Sequence, residues 1–295
     1  MRDLAGYDAF TDRLVTAFGA DPDAQGLVLL GSTAAADRRD RWSDHDVFAI
    51  VREGCGAAAR ARLGWLPDAE RIVLVAREGR IGFSVLYDDG HLVEFALSTL
   101  DELAGAGVDA HEVAFGDAGV REFVAEAHAR SAAAPASVDA VNEAGLAFVK
   151  LLVGFGRARR GERIVAGQFV RGYAVTHLLH AARARLDPPG GGSRDPLDPA
   201  RRFDADHPAF AARLDRALDG PVELAALEVA RLVRETLEPG WPDFPAAAAE
   251  AAIAILAEAD AEGDAVGPPG GDPVVGPTRV DALASASDRS TRTAG

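Results

Sequence analysis

The feature that most limits how this chain can fold is a change of hydrophobic period near Leu100. Before it, short apolar runs alternate with turn residues. Gly26–Leu30 is a continuous apolar run ending at Gly31, and Asp44–Val51 and Arg71–Ala76 read as a second and a third strand. Ile81–Tyr87 and His91–Leu97 flank Asp88-Asp89-Gly90, a hairpin turn signal. Runs this short, bounded by breakers, predict strands. Residues 7–19 instead place Phe10, Leu14 and Phe18 on one helical stripe, ended by Asp21-Pro22-Asp23. Short helices are expected over Thr33–Arg41, with Ser32 as its cap, and over Ala57–Leu63. The first hundred residues thus predict a mixed α/β layer with a sheet of about five strands, an ordinary size.

After Leu100 the period becomes helical. The spacing predicts helices over Asn142–Arg160, Ile164–Leu186, Pro208–Leu218, Val222–Leu237 and Ala246–Ala261, with a break at Pro188–Ser193. These helices read as a bundle. From Gly263 on, Gly, Pro, Ser and Thr dominate and no period survives, which predicts a disordered tail over 263–295. The expected class is α+β: a sheet domain with flanking helices over 1–105 and a helical domain over 106–262.

Composition narrows the functional classes. The net charge of −15 argues against a nucleic-acid partner, because neutralising phosphates takes a basic surface. It suits a cationic small molecule, whose local concentration an acidic field would raise. Cys55 is the single cysteine, so no internal disulfide can form and a reducing cytoplasm is expected. No apolar run approaches the roughly 20 residues of a membrane span, and no signal peptide is read at the N-terminus. Oligomeric state is not readable.

The chemistry is concentrated in Leu29-Leu30-Gly31-Ser32 and Asp44-His45-Asp46-Val47-Phe48. A glycine where a buried strand turns into a helix lets backbone approach a ligand closely, and a helix start offers unpaired N–H groups to phosphate. The Ser32 hydroxyl could add a hydrogen bond. Asp44 and Asp46, two apart on a strand, share one face of the sheet. Two carboxylates side by side repel unless a cation joins them, and Mg²⁺ binds such pairs together with substrate phosphates. Glu94 is a lone acid within the apolar strand Leu92–Leu97, a costly placement unless it is paired or metal-bound. Metal ligand and general base are both open roles for it. His45, between the two aspartates, faces the other way.

The order strand, Gly31-Ser32, helix, then a strand bearing Asp44-His45-Asp46, with a later strand acid at Glu94, resembles the nucleotidyltransferase (DNA polymerase β-like) superfamily. Within it the chain looks like the aminoglycoside and lincosamide nucleotidyltransferases, which pair a catalytic α/β domain with a helical one. The Arg201-Arg202-Phe203 segment is similar to their second domain. The resemblance implies a nucleotidyltransferase domain over 1–105. It implies two Mg²⁺ on Asp44 and Asp46, a triphosphate held at Ser32, and Glu94 as third ligand or base. It implies transfer of a nucleoside monophosphate, AMP from ATP above others, to a hydroxyl of a small-molecule acceptor. A protein acceptor, or a non-catalytic nucleotide sensor on the same fold, are the alternatives.

In the helical half, Lys150 interrupts Phe148, Val149, Leu151 and Leu152, and Arg171 and Tyr173 lie on a long helix. Lys150 is a candidate triphosphate contact across the domain cleft, with snorkelling an equal account of it. Arg171 is a candidate phosphate contact and Tyr173 a candidate base-stacking face, with ordinary bundle packing and surface charge the preferred account of both. Arg38, Arg39 and Arg41 are candidate phosphate contacts, with a solvated helix face the preferred reading. His177 and His180 have the i,i+3 spacing of helical neighbours. With no third ligand evident, they read as bundle histidines rather than a zinc site.

Overall fold

The computed structural model describes residues 4–133, 138–187 and 198–265. The Pro188–Ser193 break and the expected tail beyond 265 lie outside them. The first helix, α1 (Leu4–Gly19), is followed by β1 (Ala24–Leu30), α2 (Gly31–Ala34), β2 (His45–Val51), α3 (Gly56–Ala59), β3 (Ile72–Glu78), β4 (Gly82–Tyr87) and β5 (Leu92–Ser98). A sixth strand, β6 (His111–Gly116), precedes α4 (Ala118–Ala133). The strands form one mixed sheet in the order β3-β4-β5-β2-β1-β6. All pairs are antiparallel except β2 with β5.

The sheet has six strands where the sequence predicts five, and the sixth lies past residue 105. β6 escapes the sequence reading because His111-Glu112-Val113-Ala114-Phe115-Gly116 neither alternates cleanly nor forms an apolar run. It is an edge strand, paired only through β1, and an edge needs little burial to be held.

Both faces of the sheet are covered. The stripe Phe10, Leu14 and Phe18 of α1 is buried against Leu27, Leu29 and Val47. On the other face, Val120 and Val124 of α4 pack with Val28, Ile50 and Leu103. Each fully buried side chain of this size contributes about 1.5–3 kcal/mol from apolar area alone. Strand alternation gives even-numbered residues of β2 and β5 to the α4 face, and Asp46 and Glu94 are among them.

The helical half comprises α5 (Ala140–Arg159), α6 (Arg163–Gly167), a π-helical turn over Gln168–Tyr173, α7 (Ala174–Arg185), α8 (Phe203–Asp206), α9 (Pro208–Leu218), α10 (Val222–Leu237) and α11 (Ala246–Ala265). It has its own core, which includes Phe148, Leu151, Leu178, Val233 and Leu256. The helix expected over Ile164–Leu186 is continuous but wound as a π-turn in its middle. Opposite that turn lies Gly154 of α5, where a Cβ would stand 2.6 Å from Val170 Cγ2. Only glycine lets the two backbones come this close. No helix among the described residues is long and apolar enough to cross a membrane.

Candidate metal centre

Asp44, Asp46 and Glu94 converge. Each offers one carboxylate oxygen, and the three oxygens lie within 4.8 Å of one another. Strand pairing produces this. In the parallel pair, Asp46 stands directly beside Glu94, and Asp44 lies two residues before Asp46, at the mouth of β2. In the sequence the rest of β2, α3, β3 and β4 separate Asp46 from Glu94; the β2–β5 register brings them together.

Asp46 sits under electrostatic load. Burial first, then the charges of Asp44 and Glu94, push its carboxyl from the usual 3.8 up to about 6, while Arg201 pulls it the other way. Ser84 lies beside Glu94 in β4, its hydroxyl 2.7 Å from Glu78 and 3.2 Å from Glu94, so its one hydrogen is shared unequally between the two acids, Glu78 having the shorter contact.

A set of three hard oxygen donors with excess negative charge fits Mg²⁺. Opposed oxygens of one octahedral Mg²⁺ lie roughly 4.2 Å apart. A cluster within 4.8 Å therefore needs only a small closure around the ion.

Gly31 lies against the cluster. Its φ of +53° belongs to the left-handed region, and a Cβ built on it would meet Asp46 Oδ2 at 3.4 Å. Its own N–H is donated to the Ala110 carbonyl at 2.9 Å, so it is not open to a phosphate. The helix expected over Thr33–Arg41 is broken. Four residues, Gly31–Ala34, are α-helical, Ala35 is extended, and Ala36–Arg38 is a 3-10 turn. Alanine propensity would carry the helix on; Arg39 overrides it by folding back onto the carbonyls of Ser32 and Thr33 and onto Asp8. Ser32 is not the N-cap. That position is Leu30, with no side-chain cap, and Ser32 is the second helical residue, its hydroxyl turned to Tyr7. A helix of one turn carries little dipole, so the hydroxyl and the turn geometry remain as what Gly31-Ser32 offers.

Two residues that the sequence reading passed over hold the aspartates in place. The Asp46 N–H donates to Thr33 Oγ1 at 2.9 Å, and the Tyr7 hydroxyl donates to the Asp44 carbonyl at 2.6 Å. Tyr7 and Thr33 are hydrogen-bonded at 3.0 Å. Since the phenol has one hydrogen and Asp44 receives it, Thr33 is the donor between them. The result is a directed chain from Asp46 through Thr33 and Tyr7 to Asp44. Burial raises the Tyr7 phenol pKa, which keeps it a donor. His45 is fully buried beneath this chain, stacked on Tyr7 at 3.8 Å and bonded to Thr11.

The candidate contacts Lys150 and Arg171 have their described interactions elsewhere. Lys150 Nζ lies over the Phe169 ring, and Arg171 donates to the carbonyls of Leu218 and Gly220, past the end of α9. From the helical half the charge of Arg201 acts on Asp46, while its guanidinium pairs with Asp198 at 4.0 Å. Its segment is anchored by buried Arg183, which donates to the carbonyls of Pro199 and Arg201 and to Asp206. Arg202, at a left-handed φ of +58°, pairs with Asp109 of the loop before β6. The Arg201-Arg202 dipeptide was legible as a motif, but its place beside the acids depends on Arg183.

Two hollows each include part of the cluster, one Asp44 and the other Asp46 and Glu94. One of about 430 Å³ is lined by Tyr7, Asp40, Arg41, Trp42, Asp44 and Asp89, among others. Another of about 220 Å³ is lined by Leu30, Asp46, Phe48, Glu78, Phe83 and Glu94, among others. Trp42 is 73% exposed, with the Arg41 guanidinium over its ring at 4.6 Å.

No protein-family model and no curated protein matches the chain. Among solved structures it is similar to a nucleotidyltransferase-like protein from Exiguobacterium sibiricum, at 14% identity over 78% of this chain and 75% of that one, with a TM-score of 0.31.

Proposed function

We propose that the chain is a Mg²⁺-dependent nucleotidyltransferase that moves a nucleoside monophosphate from an NTP to a hydroxyl of a small molecule. The observation that carries this reading is the meeting of Asp44, Asp46 and Glu94 oxygens within 4.8 Å, directly beside the left-handed Gly31 turn. Three acids held this close, one of them with a raised pKa, destabilise the metal-free fold. Such a cost is typical of a site kept for chemistry. Mg²⁺ bound there would polarise the α-phosphate and stabilise charge on the entering and leaving oxygens.

The chain's own groups have distinct parts. Asp44 and Asp46 hold the ion, with Tyr7 and Thr33 fixing the backbone that carries them. Glu94 either completes the ligand set or takes the proton from the acceptor hydroxyl. The acceptor oxygen forms its bond to the α-phosphorus as the bond to the bridging oxygen breaks, and pyrophosphate leaves. Arg201 counters charge on the phosphates from the helical side. A reaction between two substrates needs two spaces, and a hollow beside Asp44 and another beside Asp46 and Glu94 support this reading. The exposed Trp42 indole is a face on which a base can stack, so we assign the nucleotide to the larger hollow and the acceptor to the side of Glu94.

ATP is the expected donor. Among acceptors, aminoglycosides and lincosamides come first, on the resemblance of the motif order, and polycationic aminoglycosides also suit the net charge of −15. The test is a screen of NTPs against hydroxylated small molecules, scored by pyrophosphate release. Turnover of a hydroxylated drug that requires both NTP and Mg²⁺ supports the full reading. Turnover only on other acceptors removes the antibiotic assignment, and none on any acceptor, proteins included, removes catalysis.

A further inference from the structure

A second group of metal-type ligands lies in the helical half. His177 and His180 project from α7 with i,i+3 spacing, and Glu143, in the first turn of α5, meets both. Glu143 Oε2 lies 2.7 Å from His177 Nδ1 and 3.3 Å from His180 Nδ1. One ligand atom from each residue falls within 4.8 Å of the others. The third ligand missing from the sequence reading is therefore present, contributed by another helix 34 positions before His177.

We propose that Glu143, His177 and His180 form a binding site for Zn²⁺ or a similar borderline cation, separate from the Asp44–Asp46–Glu94 cluster. The donor set discriminates between the two. Imidazole nitrogens select zinc-type metals, whereas three carboxylates suit Mg²⁺. Two histidines and a carboxylate are a known zinc set with one position left for water or a ligand. The three side chains keep 19% to 36% of their surface exposed, which gives the ion and its water a way in. Ligand atoms of a tetrahedral zinc stand roughly 3.3 Å apart. The Glu143–His180 distance already matches this, and the Glu143–His177 contact opens by about half an ångström, a small rotation of the glutamate. The ion would join α5 to α7 and so stabilise the helical core.

The test titrates the full chain with Zn²⁺ in excess Mg²⁺, which occupies the carboxylate cluster. Bound zinc is counted against a colorimetric chelator, and thermal unfolding is followed in parallel. The expected result is one zinc per chain, with a rise in Tm. His177→Ala, His180→Ala and Glu143→Gln should each weaken zinc at least about tenfold, while Asp46→Asn leaves it unchanged. Co²⁺ in place of zinc should give visible bands of nitrogen ligation that the His177→Ala protein lacks. Glu143→Gln keeps the shape of its side chain and so reports on ligation even if a histidine variant misfolds. No zinc on the wild-type chain would overturn the proposal. So would zinc retained at full affinity in Glu143→Gln and both histidine variants, or lost in Asp46→Asn alone. None of these outcomes depends on nucleotidyl transfer.

Discussion

At the scale of single residues, Asp46 concentrates the account. A carboxyl raised to about 6 holds its proton more tightly in the folded chain than in the unfolded one. Its contribution to metal-free stability is therefore full below the ordinary value of 3.8 and is lost as pH rises through about 6. Asp46→Asn should stabilise the metal-free protein at pH 8 by about 1–2 kcal/mol, after allowing for partial solvent screening, while removing activity. Urea unfolding with a chelator present measures the first, and a turnover assay the second. A less stable Asn variant would contradict the strain. The same proton competes with the ion, so Mg²⁺ affinity should fall as pH drops below about 6, by up to tenfold per unit. Glu94→Gln separates the two roles left to Glu94. Loss of a base lowers kcat at unchanged Mg²⁺ requirement, and loss of a ligand raises the Mg²⁺ concentration needed. The alternation that put Asp44 and Asp46 on one sheet face was legible in the sequence, and so was the cost of an acid inside Leu92–Leu97. Tyr7 and Thr33 were not, because a tyrosine and a threonine on apolar-patterned elements give no sign that their hydroxyls will join the backbone of Asp44 to that of Asp46.

At the scale of elements, the sequence read best where period alone decides. Pro208–Leu218 and Val222–Leu237 run between the residues that the pattern names. It read worst where a side chain overrides propensity. Arg39 ends α2 after one turn despite three successive alanines from Ala34, and nothing local announces that. Arg39→Ala should free those carbonyls and loosen the turn beside Asp46, costing about 1–3 kcal/mol and lowering turnover more than nucleotide affinity. The π-turn is a second such element. Gly154→Ala would drive a methyl into Val170 and the backbone of Ala166. A loss of about 1–3 kcal/mol is expected from overpacking, measured by chemical denaturation, with little change in Mg²⁺ binding. An unchanged midpoint would mean that α5 does not approach the turn this closely.

At the scale of the whole molecule, what matters is which parts of the chain meet. The α+β class and the change from sheet to helices near Leu100 were visible in hydrophobic period. The convergence of the three acids was legible only as what the motif resemblance implies, with Glu94 as third ligand; period alone does not give it, because it requires β5 to lie parallel beside β2 in a single register. Arg183 and Asp109 hold the loop that carries Arg201, whose charge acts on Asp46, and these anchors are scattered over both halves. Arg183→Ala, far from any reacting atom, should therefore raise the KM for NTP through Arg201 as well as destabilise the helical core.

In the function proposed, Asp44, Asp46 and Glu94 together hold Mg²⁺ for transfer to an acceptor hydroxyl. The most direct measurement is Mg²⁺-dependent pyrophosphate release by the wild-type chain and by Asp44→Asn and Asp46→Asn, each confirmed folded by circular dichroism. Wild-type release that vanishes with chelator, and falls at least about a hundredfold in each variant, is the predicted result. Release that proceeds at wild-type rate in either variant would contradict it.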